Sequence, residues 1–152
     1  MATKLIPPHH IGSIEYILED YRVHASKNQD TYDRVVSIGM FEHVGRGQFE
    51  TYFKAIRRLL KPGGKAVVHS TIKDTAAPTN AWVNKYIFPG GYIPQIEDIT
   101  ESACSKGLTA LCGPCIPASD NYPQTLRHWR EKFNARYHEL NHTNYDERFR
   151  KM

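Results

Sequence analysis

The sequence lacks the features that mark membrane-spanning, secreted and fibrous proteins. No apolar run approaches the roughly 18 to 20 residues that span a bilayer, and Met1–Pro8 lacks the continuous apolar stretch of a signal peptide. No internal repeat is visible. Hydrophobic residues make up 40% of the 152-residue chain and charged residues 24%, which excludes a disordered tail or a coiled-coil rod. We therefore expect one cytoplasmic domain with a hydrophobic core.

Cysteine is scarce, and its pattern fits neither a disulfide framework nor a metal centre. The three cysteines are Cys104, Cys112 and Cys115, an odd count that argues against paired bridges. Cys112 and Cys115 have the spacing of a thioredoxin-type redox motif, but Pro117 disfavours a helix that begins at the second thiol. No further ligands at a zinc-binding spacing are evident. A redox role for these two thiols is one alternative, and no metal site is predicted.

The chain has a modest excess of positive charge. Its formal net charge is +4 and its isoelectric point is near 9.0. Such an excess suits an anionic partner, such as phosphate or an acidic bilayer that the protein contacts peripherally, but it is equally typical of an ordinary solvated surface. The cations are densest late in the sequence, from Arg127 to Lys151. They do not interleave with aromatic residues as in a nucleic-acid-binding module, so no nucleic acid partner is predicted.

Apolar patterns in the first half predict three strands and a helix. Ile14–Leu18 and Asp33–Ile38 are typical of strands, and Ala66–His69 of a third. From Phe49 the apolar residues recur at helical spacing until Pro62 and the following glycines end the helix. Strand, helix, tight turn and strand form a βαβ unit of an open α/β sheet.

Ligands bind open α/β sheets at the carboxyl ends of the strands. The segments that follow the predicted strands are Asp20-Tyr21, Gly39–His43 and His69–Thr71. These segments are therefore the places to look for chemistry.

The second half of the chain predicts helices. Pro94–Ser105 has a helical pattern closed by Gly107, and Leu126–Leu140 is amphipathic. Tyr145–Lys151 is typical of the opening turns of a further helix.

Several motifs resemble one enzyme family. The segments Ser37–Gly45 (SIGMFEHVG) and Trp82–Pro94 (WVNKYIFPGGYIP) resemble the cyclopropane fatty acid synthases, which include the mycolic acid cyclopropane synthases. Leu60–Lys65 is similar to a turn found in class I methyltransferases dependent on S-adenosylmethionine (SAM). Tyr122, Thr125-Leu126 and Trp129, followed by Tyr145 and Glu147–Phe149, continue the similarity.

The resemblance implies a reaction and a site. Family members methylate a cis double bond of a lipid acyl chain, in a phospholipid for example, and then close a cyclopropane ring, while a bound bicarbonate takes the released proton. The positions that match the bicarbonate-holding residues are Glu42, His69 and Tyr122. Those that match part of the SAM site are Asp20, Tyr21 and Ile38.

The sequence also departs from the family pattern. It lacks the glycine-rich turn after the first strand, the acidic residue that ends the second strand and the bicarbonate-holding cysteine. The resemblance therefore implies a partial Rossmann-like class I methyltransferase sheet without its first two and its C-terminal strands. We expect one truncated domain, with an N-terminal extension over 1–13, a βαβ core over 14–75 and a helical, substrate-side region over 76–152.

Two readings of the function remain open beside the redox alternative. The chain is a cyclopropane synthase-type methyltransferase, or the portion of one that works with a complementing chain that supplies the cofactor half. Alternatively it is an inactive remnant that serves as a binding or oligomerising module. Because exposed strand edges recruit other strands, we expect Ile14–Leu18 either to pair with Asp33–Ile38 in a rearranged sheet or to promote self-association.

Overall fold

The structure is a computed structural model that describes residues 14–75, 77–111, 113, 118–141 and 143–151, without the side chains of 118–120. The extension over 1–13 and the thiols of Cys112 and Cys115 lie outside the described residues. The chain divides into two compact units, Met1–Leu111 and Cys112–Met152.

The first unit contains the predicted strand, helix and strand. Its elements are α1 (Tyr21–Lys27), β1 (Tyr32–Ile38), α2 (Phe49–Leu59), β2 (Leu60–His69), α3 (Ala81–Tyr86) and α4 (Ile96–Cys104). Two 3-10 turns, Phe41–His43 and Arg46–Gln48, connect β1 to α2. The α/β class and the helix predicted over 94–105 are confirmed, while β2 begins six residues earlier than the pattern predicted.

β1 and β2 are parallel neighbours. Their register runs from Arg34 opposite Lys65 to Ile38 opposite His69, with an irregularity between Tyr32 and Arg34. One face of the pair packs against the core through Val35 and Val68. The sheet therefore ends with Ile38 and His69 side by side.

The strand predicted over Ile14–Leu18 is wrong. Residues 14–20 have no regular secondary structure, and Leu18 is fully exposed. A strand is stable only when a neighbour satisfies its backbone N–H and C=O groups, and among the described residues β1 pairs with β2 alone. The predicted pairing of Ile14–Leu18 with β1 is therefore also wrong, and the prediction of self-association stays a prediction.

The core of the first unit is aromatic. Phe41 has no exposed surface, and its ring stacks on Phe49 at a centroid distance of 4.4 Å. Tyr52 and Phe53 pack against the same ring at 5.0 and 5.3 Å. The residues from α2 recur at helical spacing, which turns one side of the helix toward the sheet. This packing fixes the 3-10 turn that carries Phe41 and the residue after it, Glu42.

The second unit consists of α5 (Ala118–Arg136), a 3-10 turn (Tyr137–Glu139) and α6 (Glu147–Lys151). Phe133 contacts the rings of Tyr137 and Phe149, and the Tyr137 hydroxyl donates a hydrogen bond of 2.8 Å to the Tyr145 carbonyl. Both helices predicted for this region are present, although α5 ends at Arg136 rather than at Leu140. In the part of the chain that the structure describes, no helix is both long and apolar enough to cross a membrane.

Candidate functional site

The carboxyl ends of β1 and β2 meet at one edge of the sheet. The Gly39 N–H donates a hydrogen bond of 3.0 Å to the His69 carbonyl directly after the last paired residues. Gly39 has a φ of +61°, a left-handed conformation that glycine adopts without the strain a side chain would cause. The chain turns sharply at this point into Phe41–His43, which brings Glu42 back beside the end of β2.

The Glu42 carboxylate is held at the end of β2. The Ser70 hydroxyl donates to Glu42 Oε2 at 3.0 Å, and the Thr71 hydroxyl lies 3.5 Å from Oε1. Glu42 is half-buried, and an ideal Cβ on Gly39 would lie 3.9 Å from Oε1. Ser70 and Thr71 had no predicted role, although their position after a strand was the signal that could have identified them. The carboxylate is therefore fixed mainly through one oxygen.

His69 and Ile38 occupy the other face of the sheet. Both side chains are exposed, Ile38 to 71%, and they are register partners. Strand residues alternate between faces, so His69 points away from the core that Val68 contacts. The structure thus brings Glu42 and His69 to neighbouring strand ends, and no hydrogen bond links their side chains among the described residues.

Tyr122 belongs to the second unit. It lies on α5, and its side chain is 55% exposed. Its participation in one site with Glu42 and His69 stays a prediction.

Asp20 begins α1 instead of ending a strand. Its carboxylate accepts a hydrogen bond from the Arg22 backbone N–H at 2.8 Å and two from the Arg22 guanidinium at 2.9 and 2.7 Å. The side-chain bonds from Arg22 lower the pKa of Asp20 to about 2, assisted by the Arg22 backbone N–H. The carboxylate is therefore an N-cap and ion-pair partner, with its hydrogen-bonding capacity largely occupied.

Tyr21 lines a pocket beside the turn after β1. The pocket has a volume of about 240 Å³ and is lined by Tyr21, Arg22, Met40, His43, Val44 and Gln48. Partial burial raises the pKa of Tyr21, and its ring meets Tyr52 edge-on at 5.8 Å. Asp20 and Ile38 are not among the lining residues. The contribution of Asp20, Tyr21 and Ile38 to a SAM site stays a prediction.

A second polar cluster in the first unit consists of Arg46, Lys73, Tyr92 and Asp98. The Tyr92 hydroxyl donates to Asp98 Oδ2 at 2.8 Å, and Arg46 lies 3.8 Å from the other carboxylate oxygen. Arg46 and Lys73 both lie over the Tyr92 ring, at 5.5 and 4.7 Å. Burial opposes ionisation of Asp98, yet the Gln95 N–H and the Tyr92 hydroxyl lower its pKa. Sequence reasoning assigned no role to this cluster.

Comparisons with known proteins agree on one family. Residues 13–152 match the family model described as mycolic acid cyclopropane synthetase. The chain is 37% identical over 146 residues to the cyclopropane-fatty-acyl-phospholipid synthase of Escherichia coli K12, an alignment that covers 91% of this chain and 35% of that protein. It is 34% identical to the tuberculostearic acid methyltransferase UfaA1 of Mycobacterium tuberculosis, with 91% and 33% covered.

A solved structure shows the same relationship. The cyclopropane synthase MmaA2 from Mycobacterium tuberculosis superimposes with a TM-score of 0.62 at 27% identity, over 76% of this chain and 45% of that structure. The chain therefore has part of the fold of this cyclopropane synthase. It spans about a third of the length of the curated relatives described above.

Proposed function

Because the chain belongs to the mycolic acid cyclopropane synthetase family of SAM-dependent methyltransferases, we propose that it contributes the proton-accepting part of a site that forms a cyclopropane ring on a lipid acyl chain. The observation that carries this proposal is the position of Glu42 and His69 at the carboxyl ends of two neighbouring parallel strands. This is the edge at which open α/β sheets bind their ligands.

The proposed site holds one bicarbonate ion. Bicarbonate carries one O–H donor and two acceptor oxygens, so it needs one acceptor and at least two donors. Glu42 offers the acceptor, because Ser70 occupies Oε2 at 3.0 Å whereas the Thr71 hydroxyl is 3.5 Å from Oε1. The His69 imidazole is the proposed donor. Tyr122 is proposed as a further residue of the reaction because it matches the family motif. The chemistry of this set fits the ion, because a hydrogen bond from the bicarbonate O–H to Glu42 would place one shared proton between the two anions.

These residues would remove a proton during ring closure. SAM, when bound, supplies the methyl group from its sulfonium. The added methyl carbon must then lose one proton to the bound bicarbonate, and the electron pair of that C–H bond forms the second C–C bond of the ring. Glu42 and His69 would hold and orient bicarbonate so that one of its oxygens accepts this proton. The substrate proposed from the relatives is the cis double bond of a phospholipid acyl chain.

The experiment supplies the full chain with methyl-labelled SAM, bicarbonate and vesicles of phospholipid with cis-unsaturated chains. Gas chromatography with mass spectrometry then measures labelled cyclopropane fatty acids. We expect bicarbonate-dependent product and a loss of at least about 100-fold in E42Q, in line with the contribution of general base catalysis. E101Q is the matched control, because Glu101 is an exposed carboxylate on α4 without an ion pair in the described structure.

Two outcomes would overturn the proposal. Absence of labelled product from the folded wild-type chain would favour a binding module without catalysis. Product formation that E42Q leaves unchanged would remove Glu42 from the reaction.

A further inference from the structure

Tyr92 lies in the segment Trp82–Pro94, which carries part of the family resemblance but has no role in the proposed site. We propose that Tyr92 is a positioning residue for Glu42, because its ring contacts a cation from each of the two segments that meet at the Glu42 carboxylate. The inference rests on the proposed function, since Glu42 is the acceptor proposed there for bicarbonate. It adds a residue that acts on this acceptor through other side chains.

Two segments of the chain meet at the Glu42 carboxylate. The first is the turn after β1, which carries Glu42 itself and continues to Arg46. The second is the segment after β2, whose hydroxyls on Ser70 and Thr71 contact the carboxylate at 3.0 and 3.5 Å. The orientation of the carboxylate therefore depends on how these two segments are held together.

The Tyr92 ring contacts a cation from each segment. Arg46 follows Glu42 by one turn of chain, and its guanidinium carbon lies 5.5 Å from the ring centroid. Lys73 follows Thr71 closely, and its Nζ lies 4.7 Å from the same centroid. A cation within about 6 Å of the face of an aromatic ring is attracted by the negative charge on that face. One ring therefore binds both segments.

The position of the Tyr92 ring is itself fixed. Its hydroxyl donates a hydrogen bond of 2.8 Å to Asp98 Oδ2, and the same oxygen accepts the Gln95 N–H at 3.0 Å at the start of α4. On the core side, the centroid of the ring lies 6.0 Å from that of Phe49. The ring is thus held between α4 and the aromatic core, and the cations that contact it have a rigid partner.

The backbone joins the segment after β2 to the same region. The Lys73 N–H donates a hydrogen bond of 3.0 Å to the carbonyl of Pro94, and Pro94 is fully buried. The Lys73 ammonium also donates to the Ala77 carbonyl. Without the Tyr92 ring, the Lys73 side chain would keep only this exposed contact. The segment that carries the two hydroxyls would then be held less firmly against Glu42.

The experiment measures the ¹³C resonance of the Glu42 carboxyl carbon in the full chain, labelled on its glutamate carboxyl groups. No SAM, bicarbonate or lipid is present. E42Q identifies the resonance by its loss. S70A gives the shift that results when the carboxylate loses its closest donor.

Three variants test the role of the ring. We expect Y92L to move the Glu42 resonance by at least about half of the shift in S70A, because leucine has no charged face for the cations. Y92F keeps the ring and loses only the hydroxyl, so it should leave the resonance near its wild-type position. K73Q removes one of the two cations and should shift the resonance in the same direction as Y92L. It also decides the question if Y92L does not fold.

Lys85 and Tyr86 provide matched controls. Lys85 Nζ lies 5.0 Å from the centroid of the Tyr86 ring, so this pair makes the same kind of contact within α3. Y86L and K85Q should therefore leave the Glu42 resonance unchanged. Circular dichroism checks that each variant is folded.

A titration with bicarbonate connects the inference to the proposed function. Y92L should raise the concentration for half-saturation at least about tenfold, and Y92F less than about threefold. Absence of bicarbonate binding by the wild type would contradict the proposed function. The Glu42 resonance would still decide the inference, because it is measured without the ion.

Three results would overturn the inference. The first is a wild-type Glu42 resonance in K73Q and in every folded Tyr92 variant. The second is an equal shift in Y86L or K85Q, which would make the effect a general one. The third is an equal shift in Y92F and Y92L, which would assign the effect to the hydroxyl instead of the ring face.

Discussion

The Ser70 hydroxyl donates a hydrogen bond of 3.0 Å to Glu42 Oε2 and so joins the turn after β1 to the end of β2. The two residues are far apart in sequence but adjacent at the edge of the sheet. The bond orients a half-buried carboxylate and leaves its second oxygen for a ligand. The geometry of the proposed anion site depends on this contact.

Replacement of Ser70 by alanine is expected to lower the free energy of unfolding by about 1.5 to 3 kcal/mol. The reason is that a half-buried carboxylate would lose its closest donor. Urea denaturation measures the change. The matched control is Ser105→Ala, because that exposed hydroxyl bonds only to the carbonyl of Ser102 in its own helix. Equal stability of the two variants would contradict the role of Ser70.

Phe41→Ala is expected to cost about 3 to 5 kcal/mol, because it empties a fully buried site against three aromatic rings. Phe41→Leu keeps part of the volume and should cost less. Phe88→Ala is the comparison, since half of that ring is exposed. Chemical denaturation distinguishes them, and a cost for Phe41→Ala no larger than that for Phe88→Ala would disprove the core assignment.

The ion pair between Asp20 and Arg22 is expected to stabilise the folded protein in a way that depends on pH. The hydrogen bonds from Arg22 lower the pKa of Asp20 to about 2 in the folded protein, below the ordinary aspartate value of 3.8. A lowered folded pKa means that the stabilisation is complete above about pH 4 and is lost as the pH falls toward 2. Asp20→Ala should therefore lower the melting temperature at pH 7.

The difference between Asp20→Ala and the wild type should shrink as the pH falls from 4 to 2. Asp20→Asn keeps a capping side chain without the charge and should fall between the two proteins at pH 7. Thermal unfolding followed by circular dichroism provides the comparison. A difference that stays constant from pH 7 to pH 2 would refute the ion pair.

Gly39→Ala is expected to destabilise the protein by roughly 1 to 2 kcal/mol, because alanine is strained at a φ of +61°. The added Cβ would meet Glu42 only at ordinary contact distance, so the cost comes from the backbone. Gly47→Ala is the control, as that residue has no positive φ and open space around it. If the two substitutions cost the same, strain at Gly39 is not the cause.

The sequence predicted β1, α2 and β2 because the spacing of apolar residues that indicates each element is a local pattern. Alternating and helical apolar spacing over 33–60 determines which side of each element is buried. The same signals failed over Ile14–Leu18, because an apolar run becomes a strand only beside a partner strand, and spacing carries no information about that partner. α1 was missed for a related reason: Asp20 matched a strand end, whereas its carboxylate caps the helix that follows.

The sequence predicted where two of the candidate residues would lie, whereas their role in a site stays a prediction. Position at the strand ends identified Glu42 and His69, since parallel strands place their carboxyl ends at one edge. The sequence placed Ser70 in a segment that follows a strand but gave it no role, because only the fold shows which carboxylate its hydroxyl contacts. The role proposed for Tyr122 is based on the family motif alone.

The proposal that Glu42 and His69 hold one bicarbonate ion is tested most directly by adding the chain to ¹³C-labelled bicarbonate and measuring the width of the bicarbonate NMR line. We predict saturable binding by the wild type and by E101Q, with binding lost or strongly weakened in E42Q and H69Q. Wild-type affinity in both of these variants, or an equal loss in E101Q, would contradict the proposal.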